Sequence, residues 1–489
     1  MTAETYNDQG DDYQDAGQYE KAVEAYRQAI RLKPGYAEAY KNLGDAYFNL
    51  ERYAEAVEAY TEAARLKPGW ADPYNGLGEA YLHMDRDSEA IEAYRRAVQI
   101  EPDAAAAHYN LGLTYFEKGR FSEAIGPFTQ AVRLNPQDAE GYNYLGLAHQ
   151  KVGDYKEAAA AFRQATRLKQ NYAEAFYNLG DAYQNLNLNA EAIEAYKDAI
   201  RFNASYAEAY YDMGVVLYNS GRYEEAVNAY QQVIRLKPNS AEANSNLGDA
   251  YRRLNNYADA AVAYRQATRL KPDDVENHID LGFVYNKMDQ YGNAVETYKQ
   301  VVRLQPDNAE AYNNMGAALG KLRRWTEAVE AIKRAVQLKP DDAEAQNNLG
   351  WAYNHTGKFA EAVDPLKQAL RLKPDFAAAH FNLGISYSRL GQNEAAVESF
   401  LQAIRSRPDW AEAHNNLGYA YGGLRRWREA IEAHQQAIRL KPDYAGAYFN
   451  LGYDHLQSGN KRAALEQYEK LRPLNQELAN RLNSLIRRK

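Results

Sequence analysis

Apolar residues recur along this chain in a pattern that is itself repeated. In the stretch AEAYKNLGDAYFNL (37–50), Tyr40, Leu43, Gly44 and Tyr47 follow the i, i+3, i+4, i+7 spacing of an amphipathic helix. Tyr53, Ala56, Tyr60 and Ala63 repeat that spacing shortly afterwards, and Pro68 stops the second helix. Glycine then returns at every 34th residue, at 10, 44, 78, 112, 146, 180, 214, 248, 282, 316, 350, 384, 418 and 452. The period predicts an all-α array of fourteen helical hairpins over 3–478, with repeats starting at 3, 37, 71, 105, 139, 173, 207, 241, 275, 309, 343, 377, 411 and 445. Residues 479–489 are predicted to end a C-terminal capping helix, whose stripe runs through Leu478, Leu482 and Leu485.

Numbered within a repeat, helix A carries its apolar face at positions 4, 7, 8 and 11, and helix B at 17, 20, 24 and 27. Position 15 is Gly seven times and Asn or Asp four times, residues that tolerate the left-handed backbone ending a helix. Position 8 is always Gly and position 20 always Ala, so two antiparallel helices are expected to approach closely there. One hairpin cannot bury enough apolar surface alone, which makes a solenoid with polar ends the expected architecture. Asn244 and Gln346 at position 4, and Gln170 and Ala204 in place of the turn proline, mark the weaker repeats.

Leu at position 7, Gly at 8, Tyr at 11, Ala at 20, an aromatic at 24 and Pro at 32 together resemble the tetratricopeptide repeat over essentially the whole chain. The resemblance implies a right-handed superhelix with helix A lining a concave groove. It implies a protein-binding scaffold without catalytic activity or cofactors.

On a helical wheel, positions 2, 6, 9 and 13 lie opposite the core positions 7, 8 and 11. Position 6 is asparagine nine times, as Asn42, Asn110, Asn178, Asn246, Asn314, Asn348, Asn382, Asn416 and Asn450. If helix A lines the groove, these form a ladder whose amides can pair with both the C=O and the N–H of an extended peptide. Such a ladder is similar to that in the repeat domain of O-linked N-acetylglucosamine transferases, although no catalytic domain follows here. Position 9 is expected to set selectivity: Asp45, Glu79, Asp181 and Asp249 in earlier repeats suit basic side chains, whereas Phe283, Trp351, Ile385, Tyr419 and Tyr453 suit apolar ones.

Charge and composition narrow the alternatives. Residues 1–250 hold 24 basic and 38 acidic residues and residues 251–489 hold 34 and 28, so no uniformly basic nucleic-acid surface is expected. No apolar run is long enough to span a membrane, and the acidic first twenty residues are the reverse of an export signal, which makes cytoplasm the default. Zero cysteines exclude thiolate metal sites and cysteine nucleophiles. His108, His278, His380, His414, His149, His455 and His434 stand at core positions, while His83 and His355 are expected to face the groove far apart, so neither a metal centre nor an active site is expected. Partners are therefore extended proteins or peptides. The alternative is end-to-end self-assembly, since residues 1–20 hold six acidic and no basic residues, and residues 461–489 hold eight basic and three acidic.

Overall fold

The structure, a computed structural model, describes residues 1–488; Lys489, the last residue of the expected capping helix, lies outside them. Among the described residues there are 29 helices, from Ala3–Asp15 to Gln476–Arg488, and no strand. The chain divides into two compact parts, Met1–Pro238 and Asn239–Lys489. The first is a run of seven hairpins; the second is another seven followed by the final helix.

The hairpin turn is more uniform than its residues. Position 15 is left-handed in every repeat, with φ between 68° and 89° at its seven glycines. Glu51, Arg323 and Arg425, which nothing in their chemistry fits to that conformation, adopt it at 58°, 59° and 59°. The reason is the hydrogen-bonding closure of helix A: in the second repeat Glu51 N–H donates to Phe48 O (2.9 Å) and Arg52 N–H to Tyr47 O (2.9 Å), the Schellman arrangement. Several A helices are capped at their other end by a side chain at the preceding turn, such as Asp138 accepting from Gly141 N–H (2.9 Å) and Asn308 from Ala311 N–H (2.9 Å).

The small residues at positions 8 and 20 have distinct partners. All fourteen position-20 alanines are fully buried at 0% exposure. The position-8 glycines make room for the large side chain at position 24 of the same hairpin: a Cβ on Gly248 would stand 2.7 Å from the Tyr264 ring, and one on Gly384 2.6 Å from Phe400. In the last repeat Gly452 instead faces Leu482 of the final helix, where a Cβ would stand 2.5 Å away. Ala479, Leu482 and Ile486 are the buried stripe of that helix, while Leu478 and Leu485 flank it only partly buried.

Two repeats that depart from the usual residue at position 4 nevertheless bond there. Gln346 donates from Nε2 to Pro340 O at 2.9 Å, the same bond that His108, His278, His380 and His414 make through Nε2 to the carbonyls of Pro102, Pro272, Pro374 and Pro408 at 2.9–3.0 Å. Asn244 likewise ties back, to Ser240 O at 2.8 Å. In these six repeats position 4 thus ties helix A to its incoming turn, through an imidazole in four and an amide in two. Pro127 and Pro365 lie inside the helices Phe121–Leu134 and Phe359–Leu372, which continue through them.

Candidate functional site

All the candidate residues stand on A helices. None of the nine asparagines at position 6 is exposed: Asn178 and Asn382 are buried at 8% and the other seven half-buried. A wheel drawn for one helix places them opposite its own core, but neighbouring A helices pack side by side and cover that flank. The amides meet there. Asn178, Asn348, Asn382 and Asn450 donate from Nδ2 to the Oδ1 of Asn143, Asn313, Asn347 and Asn415, each at position 5 of the preceding repeat, over 2.9–3.1 Å. Asn42 reaches Asn7 Oδ1 (3.4 Å) and Asp11 Oδ1 (2.9 Å), and Asn110 reaches Glu79 Oε1 (3.4 Å). The Tyr177 hydroxyl donating to Asp212 Oδ2 at 2.8 Å is the same 5-to-6 contact in another chemistry. Asn314 and Asn416 keep their side-chain amides uncommitted.

Position 5 was not singled out by the helical pattern, because its asparagines alternate with Lys, Tyr, Phe, Ser and Ile. Its signal lies in pairs: Asn at position 5 followed, 35 residues on, by Asn at position 6. The row breaks at Gly76, where a Cβ would stand 2.5 Å from the Tyr60 ring.

Three of the five acidic residues at position 9 have a task inside their own hairpins. Tyr26, Tyr60 and Tyr264, buried on B helices, donate their hydroxyls to Asp11, Asp45 and Asp249 over 2.7–2.8 Å. All five acidic residues at position 9 belong to hairpins with Tyr at position 24, whereas the six hairpins with Phe, Ile, Leu or His there have Leu, Ala, Trp, Ile or Tyr at position 9. Burial raises the Tyr60 phenol above its ordinary pKa, and the Asp45 charge raises it further. Burial also lifts Glu79 and Asp181, the latter opposed by hydrogen bonds from Gln150 and Asn185. Three hairpins with Tyr at position 24 nevertheless carry Val215, Phe283 or Tyr453 at position 9, so the acidic residue always accompanies the tyrosine but the tyrosine does not require the acid.

The apolar members divide by exposure. Trp351 and Ile385 are half-buried, whereas Phe283, Tyr419 and Tyr453 are exposed at 36%, 56% and 39%. His83 and His355 do not point into open space: His83 stacks on Tyr53 of the preceding hairpin (centroids 4.6 Å apart) and His355 on Trp325 (4.0 Å). Burial lowers the His355 pKa. Among the described residues no group of three or more His, Cys, Asp or Glu could hold a metal ion, and no helix is long and apolar enough to cross a membrane.

Comparison with known proteins agrees with this architecture. A family model described as the cilia and flagella-associated protein 70 C-terminal domain matches residues 1–208 and again 203–384. A TPR-repeat model matches 386–424 and a tetratricopeptide-repeat model 411–444. No curated protein matches the chain at significance. Among solved structures, the chain is similar to MamA (28% identity over 35% of this chain and 94% of that one, TM-score 0.33). It is also similar to YrrB, described as a TPR protein with an unusual peptide-binding site (24% identity, 38% and 96%, TM-score 0.34), and to residues 41 to the end of MamA from Desulfovibrio magneticus RS-1 (24%, 35% and 96%, TM-score 0.33).

Proposed function

The chain belongs to the tetratricopeptide-repeat family, whose members generally mediate protein–protein interaction, and from that premise we propose that it is a non-catalytic scaffold holding extended segments of partner proteins along its A helices. The observation that carries this reading is the pairing of Tyr419, 56% exposed, with the uncommitted amide of Asn416 three residues before it. A partner backbone would exchange hydrogen bonds with that amide while an apolar side chain covers the ring. Asn314 offers a second uncommitted amide. Asn42, Asn110, Asn178, Asn348, Asn382 and Asn450 bond first to neighbouring A helices, so the grip on a partner is concentrated rather than spread along the whole ladder.

Fluorescence anisotropy with labelled unstructured peptides tests this on the full chain. Saturable binding is expected, and Asn314→Ala together with Asn416→Ala should weaken different peptides by similar factors, about two- to tenfold per site. Equal affinity of the double variant and the parent across the panel would overturn it. End-to-end self-assembly is the second reading, favoured by exposed Asp8 and Asp12 on the first helix and exposed Arg481, Arg487 and Arg488 on the last. Light scattering that finds only monomers at low salt removes it.

A further inference from the structure

A cavity of about 530 Å³ opens where the last three repeats meet the final helix. Tyr419, Trp427 and Tyr453 line it, and Gly422 and Gly423 stand at positions that carry side chains in nearly all other repeats. Asp454 lies in its wall at a position that is otherwise mostly Ala or Val, and it is only 3% exposed. Its Oδ1 is 3.3 Å from where a Cβ on Gly422 would stand, so the glycine leaves the carboxylate approachable.

That carboxylate is short of donors. Its Oδ2 is 3.2 Å from His434 Nε2, within ion-pairing distance, yet it receives no hydrogen bond. His434 Nδ1 lies 3.1 Å from Asn415 Oδ1, an acceptor that also takes a bond from Asn450 Nδ2. Nδ1 is thus placed to donate to Asn415, while Nε2, the ring nitrogen nearest Asp454, makes no hydrogen bond to it. A buried acceptor in this condition is costly until a ligand supplies N–H groups.

We propose that this cavity takes an arginine side chain of the bound partner, a specificity that rests on the scaffold reading above and deepens it. A guanidinium is planar, so it stacks on the tyrosine and tryptophan faces, and its forked donors match a carboxylate; an ammonium offers neither feature. Asn450, the last amide of the row, lines the same cavity with its Nδ2 already given to Asn415. Arg481, over the Phe449 ring at 5.2 Å, adds a positive charge that suits an acidic residue next to the partner's arginine.

The test uses N-acetyl-arginine amide and its uncharged counterpart N-acetyl-citrulline amide, titrated against the full chain by ligand-observed NMR. Arginine is expected to bind at least about tenfold more tightly than citrulline. Asp454→Asn should bring the two to equality, and Gly422→Leu, which fills the cavity and leaves the carboxylate in place, should abolish both; circular dichroism checks that each variant is folded. Equal affinities for the parent, no binding by the parent, or a preference that survives in folded Asp454→Asn would overturn the proposal. Because these probes are too short to span the amide row, arginine binding without peptide binding would overturn the scaffold reading and leave the cavity standing.

Discussion

The hydroxyl of Tyr60 donates to Asp45 Oδ1 at 2.8 Å across one hairpin, from a ring that is 3% exposed. Asp45→Leu should therefore leave a buried donor unsatisfied and cost about 1–3 kcal/mol. Adding Tyr60→Phe should recover most of that loss, because apolar pairs occupy the same two positions in other repeats, as Leu113 and Phe128 do. Hydrogen exchange of amides in the helix Tyr53–Leu66 measures the local opening free energy of each variant. A double variant as weak as Asp45→Leu alone would show that the hydroxyl bond is incidental.

Asparagines at position 6 should separate into two classes. Asn382→Ala leaves buried Asn347 Oδ1 without its 2.9 Å donor and is expected to lower stability by about 1–3 kcal/mol. Asn416→Ala breaks no side-chain bond and should be neutral or stabilising by up to ~0.7 kcal/mol, since Ala is the better helix former. Thermal midpoints of the two single variants, compared side by side, decide this. The same loss in both would refute the division.

The left-handed turn gives a prediction of opposite sign. Arg323→Gly and Arg425→Gly should each stabilise the protein, by about 0.5–1 kcal/mol after allowing for the extra freedom of glycine in the unfolded chain. Gly357→Ala, at φ 77°, should destabilise it. Thermal unfolding checks all three.

Asp280 should make stability depend on pH. Burial raises its pKa from 3.8 to about 6, with the charge of Asp249 adding to the rise and Arg252, 3.5 Å away, opposing it. A folded-state pKa above the unfolded value means that the folded chain binds the proton more tightly. The carboxylate therefore costs stability above pH 6, and the cost fades as pH falls from 6 toward 4. Asp280→Asn should stabilise the protein at pH 8 by up to about 3 kcal/mol and change little at pH 4. Equal shifts in thermal midpoint at both pH values would contradict this.

The fold was legible because its determinants are local and periodic: Gly at position 8, Ala at 20 and the aromatic at 24 recur with an invariant interval, and the structure packs the first directly under the last. Asparagines were harder to read, since a wheel for one helix knows nothing of the next A helix, and the amide of Asn348 is directed at Asn313, 35 residues earlier. Position 9 was read as a surface because its acidic residues looked solvent-facing, although for Asp11, Asp45 and Asp249 the tyrosine that bonds each lies only fifteen residues ahead. The turns at Glu51, Arg323 and Arg425 had no residue signature at all; the hydrogen-bonding frame imposes the conformation. Asp454 and Gly422 went unnoticed because the first is one of a few departures from a column of mostly Ala and Val and the second lies in a column with no prevailing residue, and a period highlights what recurs.

The two kinds of polar contact differ in how they travel when repeats are copied or lost. An Asp45–Tyr60 bond is carried whole within one 34-residue segment, so duplication or deletion of that segment moves both partners together. An Asn382–Asn347 bond crosses a seam, and a transplanted hairpin keeps it only if the incoming neighbour supplies the matching amide. The hairpins are thus interchangeable in their interiors but not at their borders, and the asparagine pairs are the joinery that restricts which order of repeats will hold.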